Sequence, residues 1–270
     1  EGAPERCVWA GSEEYVIGDL PVVGFRGDRY HRPWVDKDLK FLPFSAIIMA
    51  IDPAGRGKDE VGWAIVGLLH STMYLLDAGG ARGYEEPTLR FLAAKAKEWK
   101  VHKIIHEPNF GDGMFEKVFL PVLKQVYACG IEEAERSNAQ KERRICDVLE
   151  PIIAGHRLVV NQRLVESDFR STDHYPVELQ RTYQLFFQLT RITREKGSLA
   201  HDDRVDALAL ACGYFAQALG RSQADALNAT KQRQWDAELK DHRRRAFAPL
   251  DKPGEAGAKR RPRKNWMLAA

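Results

Sequence analysis

The stretch "HDDRVDALALACGYFAQAL", His201 to Leu219, constrains this chain most, because it sets three carboxylates at the front of an otherwise apolar run. Apolar residues at helical spacing predict a helix from about Asp202 to about Leu219. Asp203 and Asp206 are then i, i+3 neighbours on one face. Leu210, Gly213 and Tyr214 continue that face, and Ala207, Leu208 and Ala211 flank it, so the acidic pair lies on or beside a stripe suited to packing. Acids in the first turn complement the helix macrodipole and Asp is a favoured N-cap, which accounts for one of them, or two. Two like charges beside a packed stripe repel unless a cation compensates. Capping with solvation and a metal site both stay open on these residues alone.

The remaining pattern predicts a layered α/β sheet. "SAIIMAID", Ser45 to Asp52, is a short apolar run ending in a carboxylate, and "GWAIVGLLH" and "STMYLLDAGG" follow as two more strands on short connections, an antiparallel meander. "PTLRFLAAKAKEWKV" has helical spacing at Leu89, Leu92, Ala93, Ala96 and Trp99. "KIIHEPN", Lys103 to Asn109, is a strand that again ends in an acid, Glu107. A helix broken or offset by Pro121, a helix ending near Gly155, and a strand from Arg157 to Asn161 come next. Residues 162–177 read as irregular, and "VELQRTYQLFFQLTRITREKG" as one helix before the final one. This order, β-β-β-α-β-α-α-β-α-α, implies a mixed-direction sheet flanked by helices. Three parts are expected: an N-terminal arm or linker over 1–44, a folded domain over 45–220 and a flexible basic tail over 221–270.

Charge supports that division. Residues 221–270 carry 13 Lys/Arg against 6 Asp/Glu, while 28 basic and 32 acidic residues precede them, so the net +3 conceals an acidic body and a basic tail. Such a tail suits a phosphate backbone, an acidic protein surface or plain solvation. A 44% hydrophobic, 29% charged composition is that of a globular protein, with no apolar run of membrane length and no signal-peptide pattern. The chain opens on Glu1 rather than Met, as a fragment or processed product would. Cys7, Cys129, Cys146 and Cys212 are scattered without a C-x-x-C, which argues against zinc fingers and a disulfide framework and for a reducing cytoplasm.

Asp52, Glu107 and the Asp203/Asp206 pair stand on three segments that such a sheet can bring to one point. Each also has a local explanation, since Asp52 and Glu107 precede prolines at strand ends. A carboxylate set without Cys or His favours Mg²⁺ or Mn²⁺ over zinc. Two such ions can bracket a phosphodiester, with Asp52 bridging from a central strand. Asp202 reads as a cap or supporting acid, Asp59 and Asp112 as loop acids, and His201 as a water-orienting, phosphate-contacting or surface imidazole. "DPAGRGKDE" is not a Walker loop, because Asp59 follows Lys58 and Asp52 stands where the first glycine belongs. Arg56 and Lys58 there, with Lys141, Arg143 and Arg144 at a helix start, are candidate DNA-backbone contacts or a solvated face. "NFGDG" is a flexible loop and a candidate anion nest.

Together, "IMAIDPAGRGKDEVGWAIVG", "KIIHEPNFGDG" and "GSLAHDDRVDALALA" resemble the C-terminal nuclease domain of large terminase subunits from tailed bacteriophages, most of all the podovirus type. The resemblance spans about Ser45 to Leu219. It implies an RNase H/integrase-like fold and metal-dependent cleavage of concatemeric double-stranded viral DNA during packaging in the host cytoplasm. By position, Asp52 matches the first-strand acid, Glu107 the fourth-strand acid, where many relatives have Asp, and Asp203 with Asp206 the acids of the last helix. Implied partners are DNA, an ATPase domain in the full-length chain, a small terminase subunit, and a portal or procapsid protein reached through the tail. A resolvase- or transposase-like nuclease on branched DNA and a non-catalytic portal-docking module are the alternatives.

Overall fold

The computed structural model describes residues 2–22, 24–25, 27–35, 40–53, 60–83, 85–108, 114–135 and 138–246, with side chains described as far as residue 240. Its main sheet has six strands: β1 Ala46–Asp52, β2 Glu60–Leu69, β3 Thr72–Arg82, β4 Lys103–His106, β5 Gly130–Glu133 and β6 Leu158–Val160. Their spatial order is β6-β3-β2-β1-β4-β5. The first three strands form the antiparallel meander, with Asp52 opposite Gly62. Strands β4, β5 and β6 each pair in parallel with a neighbour. All ten residues of β2 are buried, as expected of a central strand covered on both faces.

Helices α1 Glu86–Glu98 and α2 Met114–Val126 cover one face, whereas α3 Lys141–Ala154, α4 Gln162–Arg170, α6 Leu185–Arg191, which follows the short α5 Val177–Tyr183, and the start of α7 Asp203–Ala246 pack on the other. Alternation along a strand sorts the core between them. Met49, Ile51 and Ile104 pack with Leu89, Leu92 and Phe119. Ile48, Ala50 and Ile105 pack with Ile145, Leu149, Val205 and Leu208. Asp52 and Glu107 continue the second set, so the pleat itself aims both acids toward α3 and α7.

Several elements depart from expectation. Strand β5, "GIEE", is not expected from the sequence; its two acids and one glycine, all four residues exposed or half-exposed, give no apolar alternation, and parallel pairing with β4 creates the element. Residues 162–170 form a helix because Leu164 and Val165 reach the core while Asn161 caps the first turn, its side chain accepting from the Arg163 N–H at 3.2 Å. The helix expected over 177–197 is divided at Gln184, whose buried amide donates to Phe169 O and Thr172 Oγ1, while the Asp168 carboxylate accepts from the N–H groups of Leu185 and Phe186. That carboxylate satisfies donors a continuous helix would have bonded internally. Helix α2 runs through Pro121 unbroken; Pro121 and Lys117 are both exposed, so the carbonyl left without an N–H partner faces water.

The chain forms two compact units, Glu1–Arg221 and Ser222–Ala270. Within the first, the N-terminal 44 residues make short antiparallel pairings, Ala3–Pro4 with Phe41–Leu42 and Val16–Ile17 with Tyr30–His31. Ala3 and Leu20 are buried, and Trp9 stacks on His156 at 4.4 Å. In the second, residues 222–240 are helical and exposed, Leu227, Trp235 and Leu239 included, where the sequence alone led to a flexible tail from 221. Alanines and long polar side chains favour that helix, and Gln232 donates to Asp236 at i+4.

One glycine decides how closely α7 meets the sheet. A Cβ on Gly62 would collide with the Asp203 carbonyl in the first turn of α7. Both partners are backbone, so neither can swing aside. Gly62→Ala is expected to lower stability by about 1–3 kcal/mol, read from urea unfolding midpoints; an unchanged midpoint would show that the helix start is not seated on β2.

Candidate metal centre

Strand β1 ends on Asp52, and Glu107 directly follows β4, its N–H donating to Ile51 O at 3.1 Å. Helix α7 supplies Asp206 from its first turn. Carboxylate oxygens of Asp52, Glu107 and Asp206 lie within 4.8 Å of one another. The three residues are only 6%, 8% and 2% exposed, so mutual repulsion adds to lost hydration. This is the one metal-capable cluster among the described residues.

Helix α3 brings the compensation. Lys141 Nζ lies 3.2 Å from Asp52, 3.0 Å from Asp202 and 3.1 Å from Asp206. Arg144 Nη2 donates to Glu107 Oε1 at 2.9 Å and to Asp206 at 2.8 Å. Burial pushes the Asp52 carboxyl well above its ordinary value, against the pull of Lys141 and with the help of Asp206, Glu107 and Asp203. Burial likewise raises Asp206 to about 6, with Lys141 and Arg144 opposing and Glu107 adding. Burial alone would lower Lys141, but Asp52, Asp206 and Asp202 outweigh it and hold its ammonium charged.

The other residues singled out in the sequence are distributed around this centre. Asp203 is buried and accepts from the Glu60 N–H at 3.4 Å, outside the close trio, though near enough to raise Asp52. Asp202 is held on Lys141. His201 stacks on Tyr183 at 3.9 Å. Arg143 is exposed, whereas Lys141 and Arg144 turn their charges onto the carboxylates. Arg56, Lys58, Asp59 and Asp112 lie outside the described residues, as does all of "NFGDG".

Sequence reasoning passed over Arg204, which stands between Asp203 and Asp206 and is fully buried against Glu60 and Asp168. The signal was available: a guanidinium within an otherwise apolar helical face needs anionic partners. The donor set of the centre is all carboxylate, which fits hard dications of the Mg²⁺ or Mn²⁺ type, and Asp52, Glu107 and Asp206 are the residues that could hold them.

Because the folded Asp206 binds its proton more tightly than an unfolded Asp does, the folded state holds more protons between pH 4 and 6. Stability of the ion-free protein therefore falls across that window as pH rises. Asp206→Asn is expected to remove on the order of 2 kcal/mol of that pH-dependent loss, seen as flatter urea midpoints between pH 4 and 7 in EDTA. Parallel pH profiles for the two proteins would refute the assignment.

A family model described as "Terminase Bacteriophage T7, Ribonuclease H-like domain" matches residues 51–158, which include Asp52 and Glu107. Over 216 residues the chain is 43% identical to the large terminase subunit of Enterobacteria phage T3, covering 80% of this chain and 36% of that protein. The chain thus spans about a third of the length of the curated relative it matches. Among solved structures, a mutant nuclease domain of the large terminase subunit gp2 of bacterial virus Sf6 with manganese and beta-thujaplicinol is similar at TM-score 0.44 and 12% identity, covering 64% of this chain and 90% of that one. The manganese-soaked, inhibitor-bound terminase nuclease domain of human cytomegalovirus is similar at TM-score 0.44 and 12% identity, covering 62% and 82%. Residues 51–158 thus match the ribonuclease H-like domain of the T7 terminase family, and the chain is similar to the phage T3 subunit over 80% of its own length.

Proposed function

We propose that this chain is a metal-dependent endonuclease that cuts concatemeric double-stranded viral DNA during genome packaging. The observation that carries the reading is the buried trio Asp52, Glu107 and Asp206 at the ends of paired strands and the start of α7. Two Mg²⁺ or Mn²⁺ ions held there would supply a nucleophile at neutral pH and stabilise charge on the leaving oxygen. Asp52, on the central strand, is suited to face both ions; Glu107 and Asp206 complete the set, with Asp203 and Asp202 as supporting acids. Lys141 and Arg144 oppose the burial that favours protonation of Asp52 and Asp206 and hold the carboxylates close together before any ion arrives.

For the substrate, Arg143, Arg56, Lys58 and His201 are proposed backbone contacts, and Lys141 and Arg144 can serve the same end once divalent ions take over their carboxylates. Backbone contacts carry little sequence information, so cleavage with weak sequence preference follows. Similarity to the phage T3 subunit favours packaging over a resolvase- or transposase-like role on branched DNA. An ATPase domain in the full-length chain, a small terminase subunit and a portal protein met through residues 221–270 complete the proposed assembly, in the host cytoplasm. Among the described residues no helix is long and apolar enough to cross a membrane.

The purified chain is expected to nick and linearise plasmid with Mn²⁺ or Mg²⁺, and Asp52→Asn to reduce the rate by about 100-fold or more. Undiminished cleavage by that variant removes Asp52 from the site. Deleting residues 222–270, the second compact unit, is expected to leave plasmid cleavage within about threefold while abolishing pull-down of a portal protein. Retained portal binding would place the docking surface elsewhere.

A further inference from the structure

Arg204 occupies an improbable place for a cation. It lies in the first turn of α7, where the helix macrodipole disfavours positive charge, and its side chain is fully buried. Its guanidinium is held by partners distant in the chain: Nε and Nη2 donate to the two oxygens of Glu60 at 2.9 and 3.1 Å, and Nη1 donates to Asp168 Oδ1 at 2.9 Å and Ser171 Oγ at 2.7 Å. Each partner is itself anchored. Glu60, the first residue of β2, also accepts from Tyr175 Oη at 2.8 Å, and its N–H donates to Asp203. Asp168 accepts from the two N–H groups that open α6. Gly80 on β3 makes the room, because a Cβ there would run into the Glu60 carboxylate and Arg204 Nε.

Well-packed apolar side chains can match such a buried ion cluster in stability, so stability alone gives little reason to place a guanidinium here. Orientation gives a stronger one. Asp206 follows Arg204 by two residues, about 200° round the helix, so the clamp and the metal-centre acid occupy opposite sides of one turn. A rotation of α7 by about 10° would carry a carboxylate oxygen some 5–6 Å off the axis through roughly 1 Å. Metal–ligand distances tolerate about 0.2 Å. We infer that Arg204, through its fork to Glu60 and its bonds to Asp168 and Ser171, is a positioning residue that fixes the rotation of α7 and so aims Asp206 at Asp52 and Glu107. The inference rests on the metal-dependent nuclease reading for its consequence, though not for its geometry.

Arg204→Lys keeps the charge and loses the fork. Ion-free crystal structures of the parent and of this variant are expected to differ by about 1 Å or more in the distance from the Asp206 carboxylate to Glu107. Calorimetric Mn²⁺ affinity is expected to fall about 10-fold or more. The Mn²⁺ concentration giving half-maximal plasmid cleavage should rise in step, with the rate at saturating Mn²⁺ recovering to within a few-fold. An unmoved Asp206 carboxylate, or Mn²⁺ affinity within about twofold of the parent, overturns the inference. If Arg204→Lys does not fold, Ser171→Ala, which removes one of the four bonds, is read by the same two measurements. Failure of the parent to bind Mn²⁺ counts against the metal reading, while the crystallographic displacement still decides the clamp.

Discussion

Repulsion among Asp52, Glu107 and Asp206 is the constraint to which the rest of this structure answers. Three carboxylates within 4.8 Å, nearly out of reach of water, would each cost several kcal/mol if left uncompensated. The fold supplies two cations from one turn of α3, so that Lys141 bridges Asp52 and Asp206 and Arg144 bridges Glu107 and Asp206. The trio is thereby assembled in advance at a modest energetic penalty. The same arrangement is a reversible one, because divalent ions can take over the carboxylate oxygens and leave two cations facing whatever anion binds beside them.

Holding the trio requires a rigid frame. Antiparallel pairing of β1 with β2 and parallel pairing of β1 with β4 put Asp52 and Glu107 on neighbouring strand ends, on one side of the sheet. Helix α7 must then approach the sheet closely at its first turn. Two glycines grant that approach: Gly62 gives room to the Asp203 carbonyl, and Gly80 gives room to the Glu60–Arg204 pair. The buried polar set of Glu60, Arg204, Asp168, Tyr175 and Ser171 ties β2, α4 and α6 to that turn. A buried network of this kind is worth most as a determinant of one geometry rather than as a source of stability.

The acids of the site were visible in the sequence because each carries a local signature. Asp52 and Glu107 end apolar runs before a proline, and Asp203 and Asp206 open an apolar helix, so placement at strand ends and a helix start followed from periodicity. Which acid of the last pair joins the trio was not visible. Asp203 and Asp206 are equivalent as neighbours on a helix face, and only the seating of α7 on Gly62 turns Asp206 to Glu107 and Asp203 to the Glu60 N–H. The basic residues at the start of α3 looked like a surface ready for DNA. Lys141 and Arg144 instead reach acids between 37 and 89 residues away in the chain, a pairing with no local trace.

By itself, then, the sequence determined the alternation that sends Asp52 and Glu107 to the same face, the meander with its following helices, the all-oxygen character of the donor set, and the charge division between body and tail. Those are properties of nearest neighbours along the chain, where a period of two or of 3.6 is read directly from side-chain polarity. Tertiary structure alone decided that strand β5 exists, that the helix after residue 177 divides at Gln184, that α3 neutralises the acids and that Arg204 is clamped between β2 and the end of α4. Each of these depends on pairing energies between residues far apart in sequence, which take their value only once the layers have closed and water has left the space between them.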